Sequence, residues 1–166
     1  MTIDVAPAAS GRLPSVVEAS VGYALAKAGW SAARALKCAL APLGVGPKHY
    51  AVLSALEAHG PRSQGSLGEL LGIDPSTMVA LIDELERRGL AERRRNPADR
   101  RAYGVHLTEE GTALLPCLHA ALAEADEQLM ARLPDEGRQA LLTLLAEVGA
   151  AEDVPLFLGS AACRAD

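Results

Sequence analysis

Apolar and polar positions along the chain follow a helical period almost throughout, with one short break of different character. From Ser15 to about Ala41, Val16, Tyr23, Trp30 and Lys37 mark one heptad column, and Ala19, Ala26 and Ala33 mark another beside it. Few charges interrupt this stretch, so much of the helix's circumference must be covered. Ser15-Val16-Val17-Glu18 reads as a capping box at its start, and Pro42 and Gly44 end it. Pro47 opens a second helix, with Tyr50, Leu53 and Leu56 at three-residue steps, and Gly60-Pro61 closes it. Ser63 is a good N-cap for a short third helix, Gln64 to Leu71, which Gly72 closes. Asp74-Pro75 sets an N-cap before a proline at the first helical position. The fourth helix that follows reaches about Arg88, buries Met78, Leu81, Ile82 and Leu85, and is capped by Gly89.

The period then changes. Leu90 to Arg95 and Arg101 to Leu107 suit short strands, the second with Tyr103, Val105 and Leu107 on one face, and Asn96-Pro97-Ala98-Asp99 between them is a turn sequence. Thr108 caps a long helix with Glu109 and Glu110 in its first turn; it runs to about Leu133, with Pro116 as its natural kink point. Pro134-Asp135-Glu136 starts a last helix ending near Gly149. The expected class is mainly α with a small β-hairpin wing (α+β). Five segments follow: a flexible N-terminus (1–14), an N-terminal helix (15–45), a central lobe (46–107), two C-terminal helices (108–150) and a tail (151–166).

Composition alters this picture in one respect. The 166 residues carry a net charge of −5, which argues against an affinity for polyanions, yet seven of the 16 basic residues fall within 87–101. The charge is polarised, and the local sign decides what a surface attracts. Cys38, Cys117 and Cys163 have no metal-ligand spacing and read as reduced thiols of a cytoplasmic protein. No apolar run is long enough to cross a membrane, and no signal peptide is indicated.

The chemistry gathers in the centre. A short helix, a tight turn at Gly72-Ile73-Asp74 and a second helix make a helix-turn-helix, which presents the start of its second helix to the major groove of DNA. That end offers Asp74, Ser76 and Thr77, with Ser63, Gln64 and Ser66 at the start of the preceding helix. Small hydroxyl residues can reach phosphates or base edges, and open backbone N–H groups favour a phosphate. Arg93, Arg94, Arg95, Arg100 and Arg101 flank a turn that must project from the body, where they can straddle a backbone and enter a minor groove. A well-capped helix or a run of arginines alone is an ordinary solvated feature; the two in succession point to double-stranded DNA.

These residues resemble the MarR family of regulators. Ile73 to Leu90 looks like the family's recognition helix, and Asn96-Pro97-Ala98-Asp99-Arg100-Arg101-Ala102 followed by Leu107-Thr108-Glu109-Glu110-Gly111 looks like its wing and next helix. Pro47 to Leu53 is similar to its second helix, and the likeness runs over about 15–150. The resemblance implies a winged helix-turn-helix with N- and C-terminal dimerisation helices, a homodimer on a pseudo-palindromic operator, and a repressor released by a small ligand. It also implies that Arg101 reaches the minor groove while Asp99 orients the wing arginines. The terminal helices, too apolar for one small domain to bury, independently call for a partner copy. The chain departs from the family pattern at Val79, Ala80 and Glu84, where Thr or Arg is common, so no basic side chain precedes Arg87 on the recognition helix. Affinity is therefore expected to rest on the wing and on phosphates.

The resemblance further suggests a small-molecule pocket between the dimer helices and the DNA-binding lobe. Trp30 and Arg34 share a helix face, Tyr23 lies one heptad before Trp30, and His49 and Tyr50 open the second helix; together they could hold an aromatic or anionic ligand. The plainer alternative makes Tyr23 and Trp30 packing residues and pairs Arg34 with an acid. A cysteine-based redox sensor is the rival regulator, although Cys38 lies at the wrong end of the first helix for the peroxide-sensing relatives. A winged-helix interaction module with little DNA binding is the other alternative. The four histidines form no i, i+4 pair, so neither a metal site nor a cofactor is expected. The chain carries no phosphate loop or nucleophile elbow and does not read as an enzyme.

Overall fold

A computed structural model describes residues 20–95 and 103–149. Six α-helices and one hairpin follow in the order α1 (Val21–Leu40), α2 (Pro47–His59), α3 (Gln64–Leu71), α4 (Pro75–Arg87), β1 (Ala91–Arg95), β2 (Tyr103–Leu107), α5 (Glu109–Leu129) and α6 (Asp135–Gly149), with a 3₁₀ turn at Ala41–Leu43. The capping box at Ser15 and the wing turn at 96–102 lie outside the described residues.

The chain divides into two compact units, residues 1–34 and 35–166. In the first, Val21, Leu25 and Trp30 are exposed along the helix. The second holds the core. Leu40, Val52, Leu53, Leu67, Ile82, Leu85, Val105, Leu115 and Leu118 are fully buried, so α2, α3, α4, β2 and α5 each contribute to one cluster. Among the described residues no polar or charged residue is buried. The core is aliphatic, with Tyr50 only partly buried at its edge.

Local chemistry sets the boundaries. Ser63 Oγ accepts the Ser66 N–H (3.1 Å) and Asp74 Oδ1 accepts the Thr77 N–H (2.9 Å), each satisfying an orphan donor at a helix start. The turn between α3 and α4 passes through Gly72 at φ +62°, a left-handed conformation in which a Cβ is strained. Ile73 N–H then donates to the Gly68 carbonyl (2.9 Å), the outer bond of a Schellman motif. The same turn closes so tightly on α3 that a Cβ on Gly68 would lie 2.9 Å from the Ile73 carbonyl oxygen.

Strands β1 and β2 pair antiparallel, from Ala91 opposite Leu107 to Arg95 opposite Tyr103. Arg62 adds a third backbone segment: its N–H donates to the Val105 carbonyl (3.3 Å) and its carbonyl accepts the Val105 N–H (2.8 Å). Val105 thus has both its backbone groups bonded to Arg62, faces Arg93 on its other side and is buried, which roots the hairpin in the core. Thr108 joins the hairpin to α5. Its Oγ1 accepts the Gly111 N–H (3.0 Å) and donates to the Gly89 carbonyl (2.6 Å).

The long helix stops at Leu129, about one turn before the sequence expectation. Met130 to Leu133 instead form a turn, with Leu133 N–H donating to the Met130 carbonyl (2.9 Å). Pro134 disfavours helical geometry at Leu133 and so bars the helix from resuming beyond this turn.

Candidate nucleic-acid interface

Helix α4 is held from three sides by side chains, and these contacts involve all three of its carboxylates, Asp83, Glu84 and Glu86. On the wing side, Arg93 from β1 reaches back across it. Its Nη2 lies 2.7 Å from Asp83 Oδ1, its Nη1 pairs with Glu86, and its Nε donates to Gln64 Oε1 (3.0 Å). The Arg93 backbone N–H also donates to Glu86 Oε1 (2.6 Å). One guanidinium therefore ties the wing, the recognition helix and α3 together, with its side chain only 21% exposed. At the C-terminal end, Arg88 donates to the carbonyls of Leu43 (3.3 Å) and Gly44. On the core side, His49 Nε2 lies 3.2 Å from Glu84 Oε2.

At the start of α4, Asp74 Oδ1 accepts from the Ser76 hydroxyl (2.6 Å) as well as the Thr77 amide. The Ser76 and Thr77 hydrogen bonds hold the Asp74 carboxyl far below the ordinary carboxylate range. The open amides expected at this helix start are thus partly answered by its own cap. Ser63 caps α3, and Ser66 Oγ accepts from Arg62 Nη1 (3.2 Å). Gln64 and Arg93 contact each other.

The wing presents the remaining cations. Arg94 is exposed and pairs with Glu92 on its own strand; that hydrogen bond raises the guanidinium's pKa and lowers the carboxyl's. Arg95 Nε donates to the Tyr103 hydroxyl (3.1 Å), and its guanidinium lies 5.8 Å from the Tyr103 ring centroid. Both belong to the strand ends that lead into the turn. Asp99, Arg100 and Arg101 lie outside the described residues.

The expected ligand residues do not form one described group. Tyr23 is half-buried, and Trp30 and Arg34 are exposed, in the first unit. His49 Nε2 lies beside Glu84 Oε2 but, like the Ser54 hydroxyl, is buried without a hydrogen-bond partner. Tyr50 alone of the five lines an apolar cavity of about 430 Å³ in the second unit, together with Leu36, Leu40, Ser54, Leu70 and Leu122. Tyr50 also meets His119 edge to face, with ring centroids 5.8 Å apart. Ser54, which the sequence reading passed over, has a buried hydroxyl with no hydrogen-bond partner at this cavity. Its only signal in the sequence is a small polar residue within the apolar stripe of α2. Cys38 and Cys117 are exposed free thiols, and Cys163 lies outside the described residues.

A helix-turn-helix followed by a rooted two-stranded hairpin defines a winged helix-turn-helix. Residues 43–102 match the MarR family model. CouR of Rhodococcus jostii RHA1, a transcriptional repressor, has been solved bound to a 23-mer DNA duplex. That structure superposes with a TM-score of 0.76 at 32% identity, over 85% of this chain and 99% of that one. CouR bound to p-coumaroyl-CoA superposes at 0.69, with 29% identity over 83% and 97% of the two chains. A MarR-family regulator from Rhodococcus sp. RHA1 superposes at 0.69, with 30% identity over 81% and 95%. The transcriptional repressor NicR of Pseudomonas putida is 34% identical over 99 residues, 60% of this chain and 63% of NicR. A second curated relative, from Thauera aromatica, is covered over 61% of its length, so in both cases the match spans less than two thirds of the relative. The chain belongs to the MarR family.

Proposed function

We propose that the chain is a homodimeric DNA-binding transcriptional regulator, a repressor that leaves a pseudo-palindromic operator when a small ligand binds. The observation that carries this reading is the Arg93 clamp, which fixes an arginine-bearing hairpin against a doubly capped helix-turn-helix. A solvated charge run would need no such anchor. In this reading Arg94, Arg95, Arg100 and Arg101 face the DNA backbone and minor groove, with Asp99 ordering the wing, while Ser63, Ser66, Ser76 and Thr77 face phosphates. Arg93 and Gln64 position the wing.

The dimer is supported by α6, whose Leu142 (62% exposed), Leu144, Leu145 and Val148 meet nothing that covers them. An apolar surface of this kind on one helix is the signature of a missing partner. The ligand response is supported by the cavity at Tyr50 and Ser54. Its apolar walls suit an aromatic or acyl group, and the unpartnered Ser54 hydroxyl suits a carbonyl or phenol oxygen. The p-coumaroyl-CoA complex of CouR makes aromatic acids and their thioesters the first ligands to try. Among the described residues no helix is long and apolar enough to cross a membrane, and a cytoplasmic location fits this function.

Fluorescence anisotropy with duplexes tiling the DNA upstream of the gene tests the reading. Binding should weaken steeply with salt, and Arg95→Ala, which removes one contact from each protomer of the dimer, should reduce the slope of log K against log salt by about 2. Absence of binding to every duplex at low salt would leave a protein-interaction module as the better description. Thermal shift with p-coumarate and p-coumaroyl-CoA tests the cavity: a ligand that raises Tm should release the duplex, and Ser54→Ala should weaken both effects.

A further inference from the structure

Helix α4 turns one face outward, and that face is almost devoid of polar groups able to read a base. Pro75, Ser76, Val79, Ala80 and Asp83 are exposed, opposite the buried Met78, Leu81, Ile82 and Leu85. Asp83 is held by Arg93 (2.7 Å) and the Ser76 hydroxyl donates to Asp74 (2.6 Å). Glu84 and Glu86 turn to His49 and Arg93. Every carboxylate in the first three turns of the helix is thus engaged within the protein. Val79, 45% exposed and in the middle of this face, and Ala80 beside it have no such role.

We propose that Val79, supported by Ala80, is the specificity-determining residue of the interface, and that it recognises the 5-methyl group of thymine in the major groove. The inference rests on the DNA-binding reading above and goes beyond it by naming the base and the atom read. In the major groove only thymine offers an apolar group; the other edges present hydrogen-bond donors and acceptors that an isopropyl side chain cannot satisfy. A valine pressed against those edges leaves them desolvated without a partner, so it discriminates against them as well as for the methyl.

The experiment uses the full chain and duplexes selected by it from a randomised pool. The selected duplex is resynthesised with deoxyuridine for thymidine within the half-sites, which removes the methyl and keeps the pairing, and with the same exchange outside them as a control. One buried methyl is worth about 0.8 kcal/mol, or about fourfold in Kd per half-site and about fifteenfold for two. Wild type should show that loss for half-site exchange and none for the control. Val79→Ala should bring the thymine-to-uracil ratio close to one, whatever its affinity for the uracil duplex. Equal wild-type affinity for the two duplexes, or an unchanged ratio in the variant, overturns the proposal while leaving DNA binding intact. Failure to enrich any duplex from the pool removes the DNA-binding reading itself, and the proposal with it.

Discussion

Replacing Arg93 by Ala is the sharpest perturbation of the interface. The side chain makes ionic contacts to Asp83 and Glu86 and a hydrogen bond to Gln64, and it is mostly shielded from solvent. Hydrogen bonds to charged groups contribute about 1.5–3 kcal/mol each where well shielded, and exposed ion pairs close to nothing. Asp83 is the more open partner and Glu86 the more enclosed, so most of the loss should come from Glu86. A total of about 1.5–3 kcal/mol follows, against about 0.5 kcal/mol or less for an ordinary surface arginine. Urea denaturation at fixed protein concentration measures it as a shift in midpoint with unchanged slope. Arg93→Lys keeps the charge but loses the planar fork that spans three partners, and should recover less than half of the loss. A double-mutant cycle with Glu86→Ala should return a coupling of about 1 kcal/mol. A loss below about 0.5 kcal/mol with no coupling would show that Arg93 is merely a solvated charge, and the clamp would have to be abandoned.

Three further outcomes follow from the geometry. Gly111→Ala would place a Cβ 2.0 Å from the Leu90 carbonyl oxygen, where backbone cannot yield cheaply; thermal or urea melts should show a loss of at least about 1–3 kcal/mol. Asp74 has its folded-state pKa depressed below the ordinary 3.8, so its contribution to stability is complete above that value and is lost as pH falls through the depressed one. The difference in urea midpoint between wild type and Asp74→Asn should therefore be constant above about pH 5 and shrink in more acidic solution. Leu145→Asp, on the open face of α6, should shift the chain towards monomer in sedimentation velocity while leaving the helix-turn-helix core folded; an unchanged sedimentation coefficient would place the dimer interface elsewhere.

Much of the fold was legible because short-range chemistry fixes it. The Ser63 and Asp74 caps, Pro47 and Pro75 at helix starts, and Gly72 at the turn each act within four residues, and each sits where the sequence places it. The buried stripe of α4 follows from its period alone. What escaped the sequence was pairing at a distance. The seven basic residues of 87–101 look alike in a charge count, yet Arg88 reaches carbonyls 44 and 45 residues away and Arg93 closes on three partners, while Arg94 and Arg95 stay on the wing. Arg62 joining Val105 is equally non-local. Ser54 was missed because an unsatisfied hydroxyl is defined by what fails to surround it. The end of α5 falls earlier than the sequence suggests because Met130 to Leu133 close into a turn that no glycine or proline among them announces.

Helix α4 keeps two sets of residues strictly apart. Asp83, Glu84, Glu86 and Arg88 hold it in place, whereas Val79 and Ala80 neither enter the core nor bond to another residue. Substitutions at those two positions should therefore travel almost free of any penalty in stability. A lineage carrying this scaffold could exchange one set of target sequences for another by single steps, with a foldable protein at each of them. Duplicated copies could part ways in the genes they govern long before their architectures diverge.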